Sequence, residues 1–77
     1  MHPLDVQLLK AVSEKNGAMA ADILRPFRRK YSDSLLRYHL DSLESTDYIE
    51  QDRRSVKGRV FCKLTAAGER ILAEAGQ

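Results

Sequence analysis

Ten side chains in this sequence have the types and spacing needed to grip a polyanion. Arg28, Arg29 and Lys30 form one cationic run, and Arg53, Arg54, Lys57 and Arg59 form a second. Ser34, Arg37 and Tyr38 lie between them. Lysine and arginine neutralise phosphates and release condensed counterions. An arginine can also bond both major-groove acceptors of a guanine, and a tyrosine can reach phosphate or base. Ser34 adds a hydroxyl at a helix start, where the exposed first-turn amides favour an anion.

The distribution of charge carries more than its sum. The chain has 77 residues, with 13 basic against 11 acidic and a net charge of +2, too small to imply nucleic acid. From Arg25 to Lys63, however, there are ten basic and six acidic residues, and from Arg53 to Lys63 five basic and no acidic ones. Asp33 and Asp41 oppose an anionic partner, because carboxylates repel phosphates. Asp33 is neutral to this if it is spent as a helix cap, and Asp41 can accept from a cytosine amine. Each cationic group also has a plainer reading: charged edge strands resist aggregation, and charge runs are often solvated helix faces.

Catalytic chemistry finds no foothold. There is no nucleophile elbow, phosphate-cradling glycine loop or metalloprotease helix. Glu44, Glu50 and Asp52 are separated by a helix-to-strand exit. Cys62 is the single cysteine, which excludes an intramolecular disulfide and a multi-cysteine zinc site and reads as a small buried hydrophobe. His39 beside the leucine stripe reads as a packed, hydrogen-bonded side chain. These features predict a non-enzyme with no cofactor, no metal and no evident small-molecule ligand. The longest apolar run is Ala18-Met19-Ala20-Ala21, too short to cross a bilayer, and the N-terminus lacks a signal-peptide layout. A cytoplasmic protein in a reducing compartment is expected.

The elements that must position these residues follow from periodicity. Apolar residues are 43% of the chain, enough for one thin core in one domain over 1–77. Pro3 to Asn16 reads as a helix opened by proline, with Leu4, Leu8 and Val12 inward and Gly17 ending it. Across Ala18 to Tyr31 the pattern leaves two readings open. Either Ala20 or Asp22 caps a helix with Pro26 near its first turn, or Pro26 kinks it. Ser32-Asp33-Ser34 offers N-caps to a helix over about 33–46, with Leu36, Leu40 and Leu43 inward. Ser34, Arg37, Tyr38, Asp41, Ser42 and Ser45 take the opposite side, and Asp47 closes the helix because aspartate tolerates the left-handed conformation.

Tyr48 to Arg54 and Arg59 to Leu64 read as two strands joined by a turn at Ser55-Val56-Lys57-Gly58. Val60, Cys62 and Leu64 alternate inward. Arg59, Phe61 and Lys63 alternate outward, which makes Phe61 the aromatic expected to meet a partner. Thr65 caps a last helix whose stripe is Ala67, Ile71, Leu72 and Ala75.

This order of elements, with these residues, resembles the winged helix-turn-helix superfamily of prokaryotic transcription regulators. The run Leu35-Leu36-Arg37-Tyr38-His39-Leu40-Asp41-Ser42-Leu43-Glu44 is similar to the family's recognition helix. Asp47-Tyr48-Ile49-Glu50 resembles its exit into the first wing strand. Lys57-Gly58-Arg59 is similar to a wing tip, and Leu64-Thr65-Ala66-Ala67-Gly68 to the entry of the last helix. The nearest look-alikes are ArsR-like and MarR-like regulators and small phage or plasmid repressors. Asp47 stands where the family usually has glycine, and Arg28-Arg29-Lys30-Tyr31 with Pro26 replaces its short turn. ArsR-like metal sensing needs clustered cysteines or histidines, which Cys62, His2 and His39 do not supply.

The resemblance implies an α+β winged helix-turn-helix fold of three helices, a two-stranded β-hairpin wing and a C-terminal helix. It also implies a DNA-binding transcriptional regulator, acting as a repressor by occupying an operator. The recognition helix over about 33–46 then enters the major groove. The basic wing over about 53–63 follows the backbone or minor groove, with Arg28 to Lys30 holding the backbone. Double-stranded DNA is the expected partner, bound by a homodimer on an inverted repeat. Leu8, Leu9, Val12, Ile71 and Leu72 on the terminal helices are the expected contact surface between copies, although the core needs the same residues. The alternative is a winged-helix protein–protein interaction module without DNA binding, since fold does not decide function.

Overall fold

Pro3 opens the first helix, α1 (Pro3–Glu14), in a computed structural model that describes residues 2–53 and 59–75. Its N-cap is His2, whose Nδ1 accepts from the Leu4 amide at 3.0 Å. The chain continues as α2 (Ala20–Leu24), a 3-10 turn (Arg25–Phe27), α3 (Asp33–Ser45), β1 (Ile49–Asp52), β2 (Phe61–Leu64) and α4 (Ala66–Ala75). The wing tip, with Arg54 and Lys57, lies outside the described residues. Among the described residues no helix is long and apolar enough to cross a membrane.

The core is the apolar stripe of each helix. Leu4, Leu8, Leu9 and Val12 of α1 meet Ile23 and Leu24 of α2 and Leu36, Leu40 and Leu43 of α3. Ile49 and Cys62 close it from the sheet. The same stripe corrects one expectation. Leu8, Leu9 and Val12 are fully buried within a single chain, so they cannot form a surface between copies. Ile71 and Leu72 are half-buried against the same core.

Pro26 settles the stretch that sequence left open. Helix α2 begins after Met19 and stops at Leu24, and Pro26 then sits in the first turn of the 3-10 segment. A proline there sacrifices no hydrogen bond, because first-turn amides have no intrahelical partner. The proline therefore neither opens nor kinks α2; it follows α2 and redirects the chain toward α3. At α3 the cap is Ser32, whose Oγ accepts from the Leu35 amide at 3.2 Å. Asp33 is the first helical residue and its carboxylate is free for other work.

Asp47 ends α3 in the left-handed region, with φ of 67°. The Tyr48 amide donates to the Leu43 carbonyl and the Asp47 amide to that of Glu44, both at 2.9 Å. This is a Schellman closure with aspartate in the position usually taken by glycine.

The two strands are antiparallel, pairing Ile49 with Leu64, Glu50 with Lys63, Gln51 with Cys62 and Asp52 with Phe61. Cys62 is fully buried, Val60 and Leu64 pack on the core, and Lys63 is exposed, as the alternation requires. Phe61 departs from it. It is half-buried and bridges to Met19, because the chain between α1 and α2 runs alongside β2. The Gly17 amide donates to the Cys62 carbonyl at 2.8 Å, and the Cys62 amide to that of Ala18 at 2.9 Å. The outward aromatic expected to meet a partner is thus covered in part by the chain itself.

Thr65 fastens α4 to the end of α3. Its Oγ1 accepts from the Gly68 amide at 3.0 Å and donates to the Asp47 carbonyl at 2.6 Å. Its own amide donates to the Tyr48 carbonyl at 3.1 Å. Gly68 lies directly against that carbonyl, and a β-carbon at this position would run into it.

Candidate nucleic-acid interface

Helix α3 presents the face its periodicity assigns. Leu36, Leu40 and Leu43 are buried, while Ser34, Arg37, Tyr38, Asp41, Ser42 and Ser45 are exposed. Its orientation is fixed by the leucines and by His39, whose Nδ1 lies 2.7 Å from the Asp5 carboxylate of α1. Tyr38 is 68% exposed and Leu35, one turn before it, is 40% exposed; they are the large apolar side chains that the described residues leave in solvent. Sequence reading missed Leu35, which hides beside the inward Leu36. Only the phase of the helix, set by the other leucines, distinguishes the two.

The cationic residues divide into two groups. Arg28 and Arg37 meet on Asp33: Arg28 Nη2 donates to Oδ1 at 3.2 Å and Arg37 Nε to Oδ2 at 3.1 Å. Arg37 also shares a small cleft of about 170 Å³ with Arg59, across the start of α2 at Ala20 and Ala21. Arg29 and Lys30 are exposed in the connection before α3, and neither makes an ion pair among the described residues. The N-terminal half of α3 and the base of the wing therefore share one flank carrying Arg28, Arg37 and Arg59.

Arg53 belongs elsewhere. Its guanidinium grips Glu44 with two hydrogen bonds, at 3.0 and 2.9 Å, and approaches Asp41 at 3.8 Å. Gln51 completes the cluster by donating to both Asp41 and Glu44 at 3.0 Å. These contacts bind the end of β1 to the second half of α3. Beyond them lies an open groove of about 500 Å³ lined by Glu44, Glu50 and Asp52 as well as Arg53 and Lys63, so this side has mixed charge. Of the described arginines, Arg28, Arg37 and Arg59 thus share the first flank, and Arg53 does not. The acid-free stretch of sequence around Arg53 misled, because Glu44 and Asp41 arrive from another element.

The Arg53 hydrogen bonds hold the Glu44 carboxyl below its ordinary value of 4.5, with desolvation opposing them. A carboxyl depressed by folding contributes stability above its unfolded value and loses it as pH falls through the folded one. Glu44→Gln is therefore expected to be less stable than wild type at pH 7, and the gap to close as pH falls below 4.5 and through the lowered folded value. Denaturant midpoints measured from pH 7 to pH 3 check this; a gap that stays constant with pH would refute it. For Cys62, burial pushes the thiol up to about 11, so it packs as a neutral side chain at physiological pH.

No protein-family model matches the chain, and no curated protein matches it in sequence. Solved structures do match in shape. The PcaV transcriptional regulator from Streptomyces coelicolor, crystallised with its natural ligand, superposes with a TM-score of 0.85 over 99% of this chain at 18% identity. The smu.1704 protein from Streptococcus mutans UA159 does so with a TM-score of 0.80 over 95% of this chain at 25% identity. The match covers 53% of the PcaV chain and 72% of the smu.1704 chain, so the present sequence spans about half the length of the regulator. Helix order, the antiparallel hairpin and the agreement with PcaV give this chain a winged-helix fold.

Proposed function

We propose that the chain binds double-stranded DNA as a transcriptional regulator, with the N-terminal half of α3 in the major groove. The observation that carries this reading is the flank on which Arg28, Arg37 and Arg59 gather beside the exposed Ser34 and Tyr38. Residues in the first turns of a recognition helix contact base edges, while cations on either side hold phosphates. In this arrangement Arg37 reads a base, and Arg28, Arg29, Lys30 and Arg59 contact the backbone. Arg54 and Lys57 extend the basic wing in sequence and are assigned to the backbone as well. Arg53 contributes less than its position in the sequence suggests, since a phosphate must compete with Glu44 for it. One module makes few base contacts, so two copies on an inverted repeat, repressing by occupancy, complete the proposal.

Binding selection from a random duplex pool, followed by titration against salt, tests it. A recovered site and affinity that falls steeply with salt are expected. Arg37→Ala is expected to lose about 1–3 kcal/mol of discrimination at one base pair and to keep random-sequence affinity nearly unchanged. No binding to any duplex at low salt would overturn the reading. That result would favour the interaction-module alternative, which has its own support in the carboxylates seated on Arg28, Arg37 and Arg53.

A further inference from the structure

We propose that Asp33 is a positioning residue for base recognition, holding Arg37 by its Nε so that the guanidinium offers its Nη1–Nη2 edge to a guanine. The inference rests on the DNA-binding reading above and adds the residue that sets its specificity.

The geometry gives each Asp33 oxygen a different arginine: Oδ2 accepts from Arg37 Nε and Oδ1 from Arg28 Nη2. The contact with Arg37 spans one helical turn, from the first residue of α3. All three side chains are roughly half-exposed, at 53% for Asp33, 46% for Arg37 and 43% for Arg28, so a duplex can reach the cluster. Asp33 is not needed as a cap, because Ser32 performs that task.

A guanidinium can pair with two acceptors through its Nε side or through its Nη1–Nη2 end. With Nε committed to Asp33, the end-on fork is the mode that remains, and its spacing matches O6 and N7 of guanine. A free arginine must give up considerable rotamer freedom when it binds, and the carboxylate removes part of that loss in advance. Arg28 on the other oxygen keeps Asp33 from turning toward solvent. The local charge of the trio remains +1. Asp33 also has an opposing effect, since a carboxylate near the backbone weakens attraction to every duplex alike. It therefore lowers random-sequence affinity while raising discrimination, and these opposite signs separate the proposal from a structural role.

The test uses Asp33→Ala and Asp33→Asn in the full chain, with thermal melting to establish that both remain folded. Each is titrated against the duplex selected by the wild type, a random-sequence duplex, and the selected duplex carrying 7-deazaguanine, which lacks the N7 acceptor. For wild type, 7-deazaguanine at one position is expected to weaken binding roughly tenfold. For Asp33→Ala the random duplex is expected to bind a few-fold more tightly, the selected-to-random ratio to fall roughly tenfold, and the 7-deazaguanine penalty to vanish. Asp33→Asn should fall between the two. If the ratio and the 7-deazaguanine penalty persist while both affinities rise together, Asp33 acts by charge alone and the proposal fails. If every affinity falls, it serves binding generally and the proposal fails as well. A wild-type chain that binds no duplex fails at an earlier step, which is the failure of the DNA-binding reading itself.

Discussion

Gly68→Ala is expected to destabilise the fold by about 3 kcal/mol, near the upper end for overpacking. The reason is what the added methyl would meet: the Tyr48 carbonyl, a backbone atom, with a Leu64 methyl also crowding the site. A flexible side chain could swing away, but this carbonyl is fixed by the Thr65 amide, and Tyr48 is held in turn by the closure of α3. Relief would require α4 to shift and the Thr65 hydroxyl to give up the Gly68 amide or the Asp47 carbonyl. A domain of this size has about 4–12 kcal/mol in total, so the loss is a large share of it. Thermal unfolding followed by circular dichroism should show a melting point lowered by about 12–24 °C. A melting point within about 4 °C of wild type would show that α4 is free to move away from α3.

The second large effect is on association. The double substitution of Arg29→Ala and Lys30→Ala is expected to weaken random-duplex binding about a hundredfold at 50 mM salt. Each phosphate contact contributes about 0.9 to the logarithmic salt slope, or about tenfold in affinity between 1 M and 50 mM salt, so the slope itself should fall by about 1.8. Arg29 and Lys30 are chosen because they are exposed and make no ion pair among the described residues. Arg53→Ala should change the slope much less, since its charge is already matched by Glu44. It should lower stability instead, by releasing β1 from α3. An unchanged slope in the double variant would place the DNA-contacting surface away from the connection before α3.

What the sequence displayed, and what it concealed, follows from the range of the forces involved. Helices α1 and α3 were readable from their leucine spacing, and the closure at Asp47 from the tolerance of aspartate for positive φ. The inward Val60, Cys62 and Leu64 followed from strand alternation, a local property. The partners of the arginines did not. Asp33 and Arg37 are one turn apart, but Glu44 and Arg53 are joined only because β1 folds back along α3, and no local pattern announces that contact. Ser32 displaced Asp33 as the cap for a reason equally invisible in sequence: either residue type serves, and the geometry of the entering chain decides. The role of Gly68 needs the position of Tyr48, 20 residues earlier. The bridge to Phe61 was missed because the Met19 segment is too short and too small-sided to alternate.

That bridge has a bearing on self-association. Strand β2 is hydrogen-bonded on both sides, to β1 along its length and to the Gly17–Ala20 segment at Val60 and Cys62. An exposed strand margin is a template for recruiting further chains. In this molecule β2, with Val60 before it and Cys62 and Leu64 within it, is shielded from such recruitment. Strand β1 carries the exposed Glu50, and like charges brought face to face would repel a second copy. A construction that first fastens the hairpin to the helices thus also discourages runaway sheet growth in a chain of this size.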